Sequence, residues 1–207
     1  MFKDRKKDYR IWSKSNLPTS IFNSVEIENA SPYSEVFNKM MDNRILFLSG
    51  EINLFSSEIL KSQMLYLDSL GSEDITIYIN SPGGSVYDGL GIVDIMEYVA
   101  SDIVTVNTGL AASMGAIILC SGEVGKRKAL KRSRTMIHQP IGGGYIQQAS
   151  DMEIEVKEIN ELKKELYEII SNKTGHKYSK VLRDGDRDYW MTASQAKDYG
   201  MIDRVVK

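Results

Sequence analysis

Cysteine and long apolar runs are what this sequence has least of. The 207 residues include one cysteine, Cys120, which lies in an apolar run and is expected to be a small core residue. A single cysteine excludes an intramolecular disulfide and favours a reducing compartment, so we expect a cytoplasmic protein. No apolar run approaches the roughly 18 residues that span a bilayer, and the basic residues 1–12 lack the apolar core of a secretion signal. We therefore expect no membrane association.

An excess of charge of one sign is also lacking. The formal net charge is -2, from 26 Lys and Arg residues and 28 Asp and Glu residues. A balance this close to neutral argues against a general nucleic-acid binder. The hydrophobic content of 42% is ordinary for a soluble globular chain of one domain or a little more.

The order of the apolar segments predicts an α/β fold. Residues 1–34 have no sustained periodicity and are expected to form a leader rather than part of the core. Short apolar runs at residues 45–48, 75–79 and 103–106 are typical of buried strands, and each is followed by a segment with helical spacing. Strands that alternate with helices predict a largely parallel sheet, with ligand sites at the carboxyl ends of its strands.

One strand-to-helix turn carries a candidate nucleophile. Ser113 lies among small residues in the segment GLAASMGA, residues 109–116. Such a turn exposes the hydroxyl and directs the free N–H groups of the helix start at the same point, as acyl transfer requires. The alternative is a serine that only caps the following helix.

A serine nucleophile needs a general base and a carboxylate. His138 ends a short strand before a Pro–Gly segment, where active-site residues gather, whereas His176 follows the predicted end of a long helix. The carboxylate is expected in one charged turn, where the residues alone do not choose among Asp184, Asp186 and Asp188.

Two other segments bear on assembly and on ligands. Residues 151–172 predict a long amphipathic helix, with a capping box formed by Ser150 and Glu153 and an end marked by Gly175. At about 1.5 Å per residue this helix is at least about 30 Å long, so we expect it to project and pack on another subunit. The basic residues 123–134 predict a polar hairpin that forms a solvated face or a subunit contact. They do not favour a phosphate site, because no Walker nucleotide pattern accompanies them.

Four blocks resemble the Clp protease proteolytic subunit family, ClpP, in the order in which that family carries them. They are INSPGGSV at 79–86, AASMGA at 111–116, MIHQP at 136–140 and DRD at 186–188. The resemblance covers residues 35–207 and implies a crotonase-like α/β fold with a compact head and a projecting helical handle at about 141–172. It also implies an ATP-dependent Clp protease subunit, a serine endopeptidase that cuts unfolded proteins into short peptides.

The resemblance assigns roles to individual residues. It implies that Ser113 is the nucleophile, His138 the general base and Asp188 the third triad member. The N–H groups of Gly83 and Met114 match the oxyanion hole. Substrate is expected to lie as an added strand along the residues Gly84, Ser85, Val86, Ile141, Gly142 and Gly143.

The resemblance also implies partners. The family forms two stacked heptameric rings, in which Asp186 and Arg187 match a ring-to-ring ion pair. Tyr78 matches the cleft where an AAA+ unfoldase of the ClpX, ClpA or ClpC type docks. The unfoldase consumes ATP, and no metal or cofactor is expected in this chain.

Some features depart from the family pattern. The leader, residues 1–34, is expected to contain the axial loops, with a possible propeptide in residues 1–15. Tyr87 and Asp88 replace smaller residues after the Pro-Gly-Gly segment, Gly144 is a third glycine in the handle strand, and Gln147 replaces a usual glycine. These departures are expected to change the specificity pocket or to mark an altered or structural subunit of mixed rings. A crotonase-type acyl-CoA enzyme, which shares the fold, is a further alternative.

Overall fold

The computed structural model describes residues 32–142 and 148–206. The chain divides into two compact units between Asn43 and Arg44. The described part of the first unit is helix α1 (Pro32–Asp42), in which Lys39 pairs with Glu35 at 2.7 Å. The predictions for residues 1–31 lie outside the described residues.

The second unit alternates strands and helices along its first half, as the apolar pattern predicts. Its elements are β1 (Ile45–Ile52), α2 (Leu54–Leu70), β2 (Ile75–Gly84), α3 (Val86–Tyr98), β3 (Ile103–Ala112), α4 (Met114–Ser121), β4 (Arg127–Leu130), β5 (Arg134–Ile137), α5 (Ala149–Thr174), α6 (Tyr178–Asp184), β6 (Tyr189–Thr192), α7 (Ala193–Tyr199) and β7 (Arg204–Val206). The predicted α/β class is confirmed.

One largely parallel sheet forms the core of this unit. Its strands lie in the order β1-β2-β3-β4-β7, all parallel to their neighbours. β5 pairs in parallel with the end of β3, and β6 pairs antiparallel with β5. The predicted hairpin over residues 123–134 is therefore wrong, because β4 and β5 each pair with a different part of β3 instead of with one another.

The glycine segment after residue 79 continues the strand that precedes it. β2 runs on to Gly84 and stays paired with β1 through a register shift between Ser49 and Glu51. A Cβ on Gly84 would lie 2.1 Å from the carbonyl oxygen of Ile52, so β1 approaches too closely for any other residue there. The predicted glycine turn is thus an irregular strand end at the carboxyl edge of the sheet.

Helix α4 lies in the core and begins at the same edge. All of its residues are buried, as expected of a helix that is apolar on every side. Cys120 is among them, as predicted, and burial raises the pKa of its thiol to about 12, so the thiol is inert at neutral pH. The start of α4 and the ends of β2 and β3 therefore meet around Ser113.

Helix α5 is long and buried only towards its end. Its 26 residues correspond to about 39 Å. The predicted end at Gly175 is confirmed by a left-handed φ of 76°. The predicted capping box is wrong: the helix begins at Ala149, so Ser150 falls inside the first turn, and the N-cap Gln148 makes no side-chain capping bond. None of the described helices is long and apolar enough to cross a membrane.

Candidate active site

Ser113 occupies a strained position between β3 and α4. Its φ of 55° and ψ of -126° lie in a region that non-glycine residues rarely adopt, at a cost on the order of 1–3 kcal/mol. Its amide donates a hydrogen bond to the carbonyl oxygen of Met136 at 2.9 Å. Ser113 is the N-cap of α4, yet its side chain makes no capping hydrogen bond. The capping alternative therefore does not explain the serine hydroxyl.

The hydroxyl faces a histidine instead. Ser113 Oγ lies 2.9 Å from His138 Nε2, and His138 Nδ1 lies 3.0 Å from Asp188 Oδ1. Sheet register explains both distances. Met136 of β5 pairs with Ala112 of β3, which brings His138 beside Ser113. The last pair of the β5–β6 ladder is Ile137 with Tyr189, so His138 and Asp188 are the next residues on the two strands.

The other candidate base and carboxylates lie elsewhere. His176 packs edge-on against the ring of Tyr199, with ring centroids 4.5 Å apart. Asp184 accepts hydrogen bonds from Lys180 and from Tyr199. Burial tends to raise the pKa of Asp184, but these two hydrogen bonds outweigh it and lower the pKa, so this carboxylate is anionic within a structural network. Of the three aspartates, Asp188 is the one that reaches His138.

Gly83 lies against the serine. A Cβ on Gly83 would be 2.6 Å from Ser113 Cβ and 3.0 Å from the amide nitrogen of Met114, and its φ of +96° is one that glycine favours. The structure therefore brings Gly83, Met114 and Ser113 together. The Gly83 N–H donates to the hydroxyl of the buried Ser81 at 3.1 Å, a contact that sequence reasoning missed.

A small pocket opens beside this group. Apart from Ser113 and His138 its lining is apolar, and it is formed by Val86, Met114, Ile117, Ile137, Pro140 and Leu166. Of the residues predicted to bind substrate, Val86 is in this lining. Most of the other lining residues were not predicted, because they belong to elements far apart in sequence.

The remaining described residues of the predicted substrate strand are not part of this lining. The Ser85 amide donates to the carbonyl oxygen of Ile52 at 2.8 Å, and the Ser85 side chain accepts from the amide of Asp88, so Ser85 caps α3. Ile141 is 83% exposed. Gly142 packs against Ile159 of α5. Gly143 lies outside the described residues, as do Gly144 and Gln147.

The assembly candidates are accessible in the single chain. Asp186 and Arg187 are exposed in the turn between α6 and β6. Tyr78 is half-buried on β2 and stacks on Phe47 of β1, with ring centroids 5.7 Å apart. Tyr87, one of the unusual residues, donates a hydrogen bond to Glu158 of α5 at 3.1 Å. That hydrogen bond raises the pKa of Tyr87.

Two polar side chains near the histidine were missed in the sequence. Gln139 Nε2 donates to the carbonyl oxygen of Asp186 at 3.0 Å, and Lys163 Nζ donates to Gln139 Oε1 at 2.9 Å. The position of Gln139, next to His138, was the one available signal. Within residues 32–142 and 148–206, no three His, Cys, Asp or Glu side chains cluster in a way that holds a metal.

Comparisons with known proteins identify the family of this chain. A model of the Clp protease family matches residues 28–207. The ATP-dependent Clp protease proteolytic subunit of Bacteroides fragilis (strain ATCC 25285) is 55% identical over 173 residues, which make up 83% of each chain. The protein of that name from Porphyromonas gingivalis is 51% identical over 174 residues, 84% of this chain and 78% of the other. With a match that runs through both Ser113 and Asp188, the chain belongs to the Clp protease family.

Proposed function

We propose that this chain is the proteolytic subunit of an ATP-dependent Clp protease, a serine endopeptidase that cuts unfolded proteins into short peptides. One observation carries the proposal: Ser113 Oγ, His138 and Asp188 form a continuous chain of contacts of 2.9 and 3.0 Å. The relatives above are named as proteolytic subunits of an ATP-dependent Clp protease, and the family match extends over the whole site.

The proposed reaction follows from the positions of these atoms. His138 Nε2 takes the proton of Ser113 Oγ as that oxygen attacks the peptide carbonyl carbon, and the protonated imidazole then gives its proton to the leaving amine. Asp188 accepts the Nδ1–H of His138 and so fixes the tautomer that can act as a base. Water then hydrolyses the acyl-enzyme by the same steps in reverse, which restores the serine.

The oxyanion formed in the attack needs hydrogen-bond donors. We propose the amides of Gly83 and Met114, which flank Ser113 at the strand end and at the helix start. The amide of Met114 belongs to the first turn of α4, where N–H groups have no partner within the helix. The amide of Gly83 donates to the hydroxyl of Ser81, so the oxyanion competes with that hydroxyl for the same N–H proton.

Substrate is proposed to bind as a strand between residues 84–86 and residues 141–143, because main-chain hydrogen bonds recognise any sequence. The pocket beside Ser113 then takes the side chain before the cut. Its apolar lining, including Val86, Ile117 and Leu166, favours an apolar side chain there and disfavours a charged one, which would lose its hydration.

The proposed assembly is two stacked heptameric rings that enclose the active sites. The handle, residues 141–172, includes the exposed part of α5, which presents Met152, Ile154 and Val156 to solvent in the single chain. Exposed apolar side chains on a projecting helix are what a subunit contact requires. Asp186 and Arg187 are proposed to pair across the two rings.

The proposed partner is an AAA+ unfoldase of the ClpX, ClpA or ClpC type, which docks at Tyr78. This unfoldase consumes the ATP, and the proposed serine chemistry uses no cofactor of this chain.

Because the unfolding of substrates by this partner needs ATP, we propose a cytoplasmic location. We further propose residues 35–207 as the peptidase domain and residues 1–34 as a leader with axial loops, from which residues within 1–15 are removed.

An altered or structural subunit of mixed rings is the second candidate. Such a subunit has no need of a strained serine whose hydroxyl lies 2.9 Å from an imidazole, and the presence of all three side chains disfavours it. A crotonase-type acyl-CoA enzyme needs no serine nucleophile, so the same contact disfavours that alternative.

A peptidase assay on the purified chain tests the proposal. Fluorogenic peptides with leucine or with aspartate before the reporter are compared, each with the wild type and with Ser113→Ala, and native mass spectrometry reports the assembly. We expect cleavage of the leucine peptide by a 7-mer or 14-mer of the wild type and none by the assembled Ser113→Ala variant. Equal cleavage by both proteins, or a stable inactive monomer, would contradict the proposal.

A further inference from the structure

The backbone pairing that aligns His138 with Asp188 stops just before them. The last pair of the β5–β6 ladder is Ile137 with Tyr189, and His138 and Asp188 are the next residues beyond it. The side chain of His138 is 17% exposed and that of Asp188 is 59% exposed. The ladder therefore fixes one side of this residue pair, and something else must fix the turn that carries Asp188.

Gln139 makes the contact on the other side. Its Nε2 donates to the carbonyl oxygen of Asp186 at 3.0 Å, across the gap where the ladder would continue. The pair His138 and Asp188 thus lies between the last ladder pair and this side-chain hydrogen bond. Both strands are held to each other before and after the residues whose distance matters.

Lys163 decides which way the amide of Gln139 points. Its Nζ donates to Gln139 Oε1 at 2.9 Å, and an ammonium group can only donate. The oxygen of the amide must therefore face Lys163, which leaves the NH₂ group facing the carbonyl of Asp186. A rotated amide would set an oxygen against that carbonyl and lose both bonds.

The same face of α5 holds the residue before Asp186. Tyr167, one turn after Lys163, is buried, and its hydroxyl donates to the carbonyl oxygen of Gly185 at 2.5 Å. Helix α5 thus holds the turn at two successive carbonyl groups: Gly185 directly through Tyr167, and Asp186 through Gln139. The position of the Asp188 turn is tied to α5.

We propose that Gln139 is a positioning residue for the triad, and that Lys163, Gln139 and the Asp186 carbonyl form a clamp through which α5 holds Asp188 against His138. The proposal rests on the proposed serine-protease function. Gln139 does not touch substrate. It acts through Asp188 alone, so its loss lowers kcat and leaves KM unchanged.

The first test is Gln139→Glu. This variant keeps the size of the side chain and its bond from Lys163, but it removes the donor and sets a carboxylate oxygen against the Asp186 carbonyl. We expect kcat for a leucine peptide to fall by about tenfold to 100-fold, as small misplacements of catalytic groups do, with KM within about twofold. A kcat within about twofold of the wild type would overturn the proposal.

A double-mutant cycle separates positioning from a general structural effect. If Gln139 acts only through Asp188, then Gln139→Glu has no further effect on kcat in an Asp188→Asn background. Equal fold losses in both backgrounds would overturn the proposal. An inactive wild type would refute the proposed function itself, which distinguishes the two failures.

Lys163→Met covers the case in which Gln139→Glu fails to assemble, as judged by native mass spectrometry. Its matched control is Lys164→Met, at the exposed neighbouring position of α5. We expect a loss in kcat of about tenfold for Lys163→Met, through the freed amide of Gln139, and wild-type kcat for Lys164→Met. Equal activity of the two variants would overturn the clamp.

Discussion

His138 Nδ1 and Asp188 Oδ1 lie 3.0 Å apart, although 50 positions separate the two residues in the chain. The antiparallel pairing of β5 with β6 brings them together, since its last pair is Ile137 with Tyr189. The distance is that of a hydrogen bond from an imidazole N–H to a carboxylate. The proposed role of Asp188 depends on this one contact, so it can be tested by changing the charge and keeping the shape.

The substitution Asp188→Asn should greatly reduce turnover. The amide can donate to Nδ1 and so favours the tautomer in which Nε2 carries a proton and cannot act as a base. The equivalent change in a well-studied serine protease lowers kcat about 10⁴-fold, and we expect a loss of several orders of magnitude here, with an unchanged assembly. Steady-state kinetics together with native mass spectrometry measure both. A kcat within about tenfold of the wild type would rule out the assigned role.

Gly83→Ala should remove activity through steric conflict at the serine. The new Cβ would lie 2.6 Å from Ser113 Cβ and 2.8 Å from the carbonyl oxygen of Ala112, so the strand end must move away from the proposed oxyanion position. Loss of one oxyanion donor costs about 3 kcal/mol of transition-state stabilisation in other serine proteases. We expect a fall in kcat of at least that order, about 100-fold.

Gly125→Ala is the matched control for Gly83→Ala. Gly125 has a φ of +88°, close to that of Gly83, but a Cβ there meets no atom within 4 Å. Both variants therefore carry similar backbone strain, roughly 1 kcal/mol. Thermal unfolding should show a loss of stability in both, whereas only Gly83→Ala should lose peptidase activity. Equal activity in the two variants would contradict the placement of Gly83.

The strained backbone at Ser113 predicts an effect on stability. Ser113→Ala and Ser113→Gly both remove the hydroxyl, but glycine adopts φ of 55° without the cost of a Cβ. We expect Ser113→Gly to be more stable than Ser113→Ala by roughly 1 kcal/mol, read as a higher Tm at one protein concentration. At Ser121, the last residue of α4, the order should reverse, because glycine is a poor helix former. A Ser113→Gly variant no more stable than Ser113→Ala would mean that Ser113 carries no strain.

A buried ion pair predicts how stability depends on pH. Asp203 binds the guanidinium of Arg127 through contacts of 2.6 and 3.0 Å, and the Arg127 side chain is 5% exposed. Burial tends to raise the pKa of Asp203, but the Arg127 guanidinium and the amides of Arg127 and Gly125 outweigh it, so the pKa is lowered. A lowered carboxyl pKa gives stability that is present above the unfolded-state value, about 4, and is lost as the pH falls below it.

Asp203→Asn should therefore lower the Tm at neutral pH, with a loss in the free energy of unfolding on the order of 2 kcal/mol. The difference in stability between the variant and the wild type should shrink below about pH 4. Asp74→Asn is the control, since Asp74 pairs with Lys126 at an exposed site and should cost under about 1 kcal/mol. Differential scanning calorimetry between pH 3 and pH 7, roughly the range in which carboxyl groups titrate, measures both. A difference for Asp203→Asn that is constant across this range would refute the assignment.

Local signals in the sequence predicted much of the fold. Gly175 ends α5 in the left-handed conformation, because this effect depends on a few neighbouring residues. The predicted hairpin over residues 123–134 was wrong for the opposite reason. Both of its strands pair with β3, and the choice of a sheet partner depends on residues far away in the chain.

In the site, too, local features could be predicted from the sequence and long-range contacts could not. The turn around Ser113 could be recognised from small residues between a strand and a helix, since its geometry is local. Asp188 could not be separated from Asp184 and Asp186 without the family resemblance, because the choice depends on the register of β5 with β6. Gln139 and Lys163 were missed because their contacts join three separate elements. The catalytic roles themselves stay predictions.

Labelling with a fluorophosphonate tests the central claim most directly. This probe reacts with a serine hydroxyl only where a base and an oxyanion site activate it, so peptide mass spectrometry of the labelled chain reports chemistry and position together. The wild-type assembly should carry label on Ser113 alone, and Ser113→Ala and the heat-denatured wild type should carry none. Label on another serine, or no label on a preparation that hydrolyses peptides, would contradict the account.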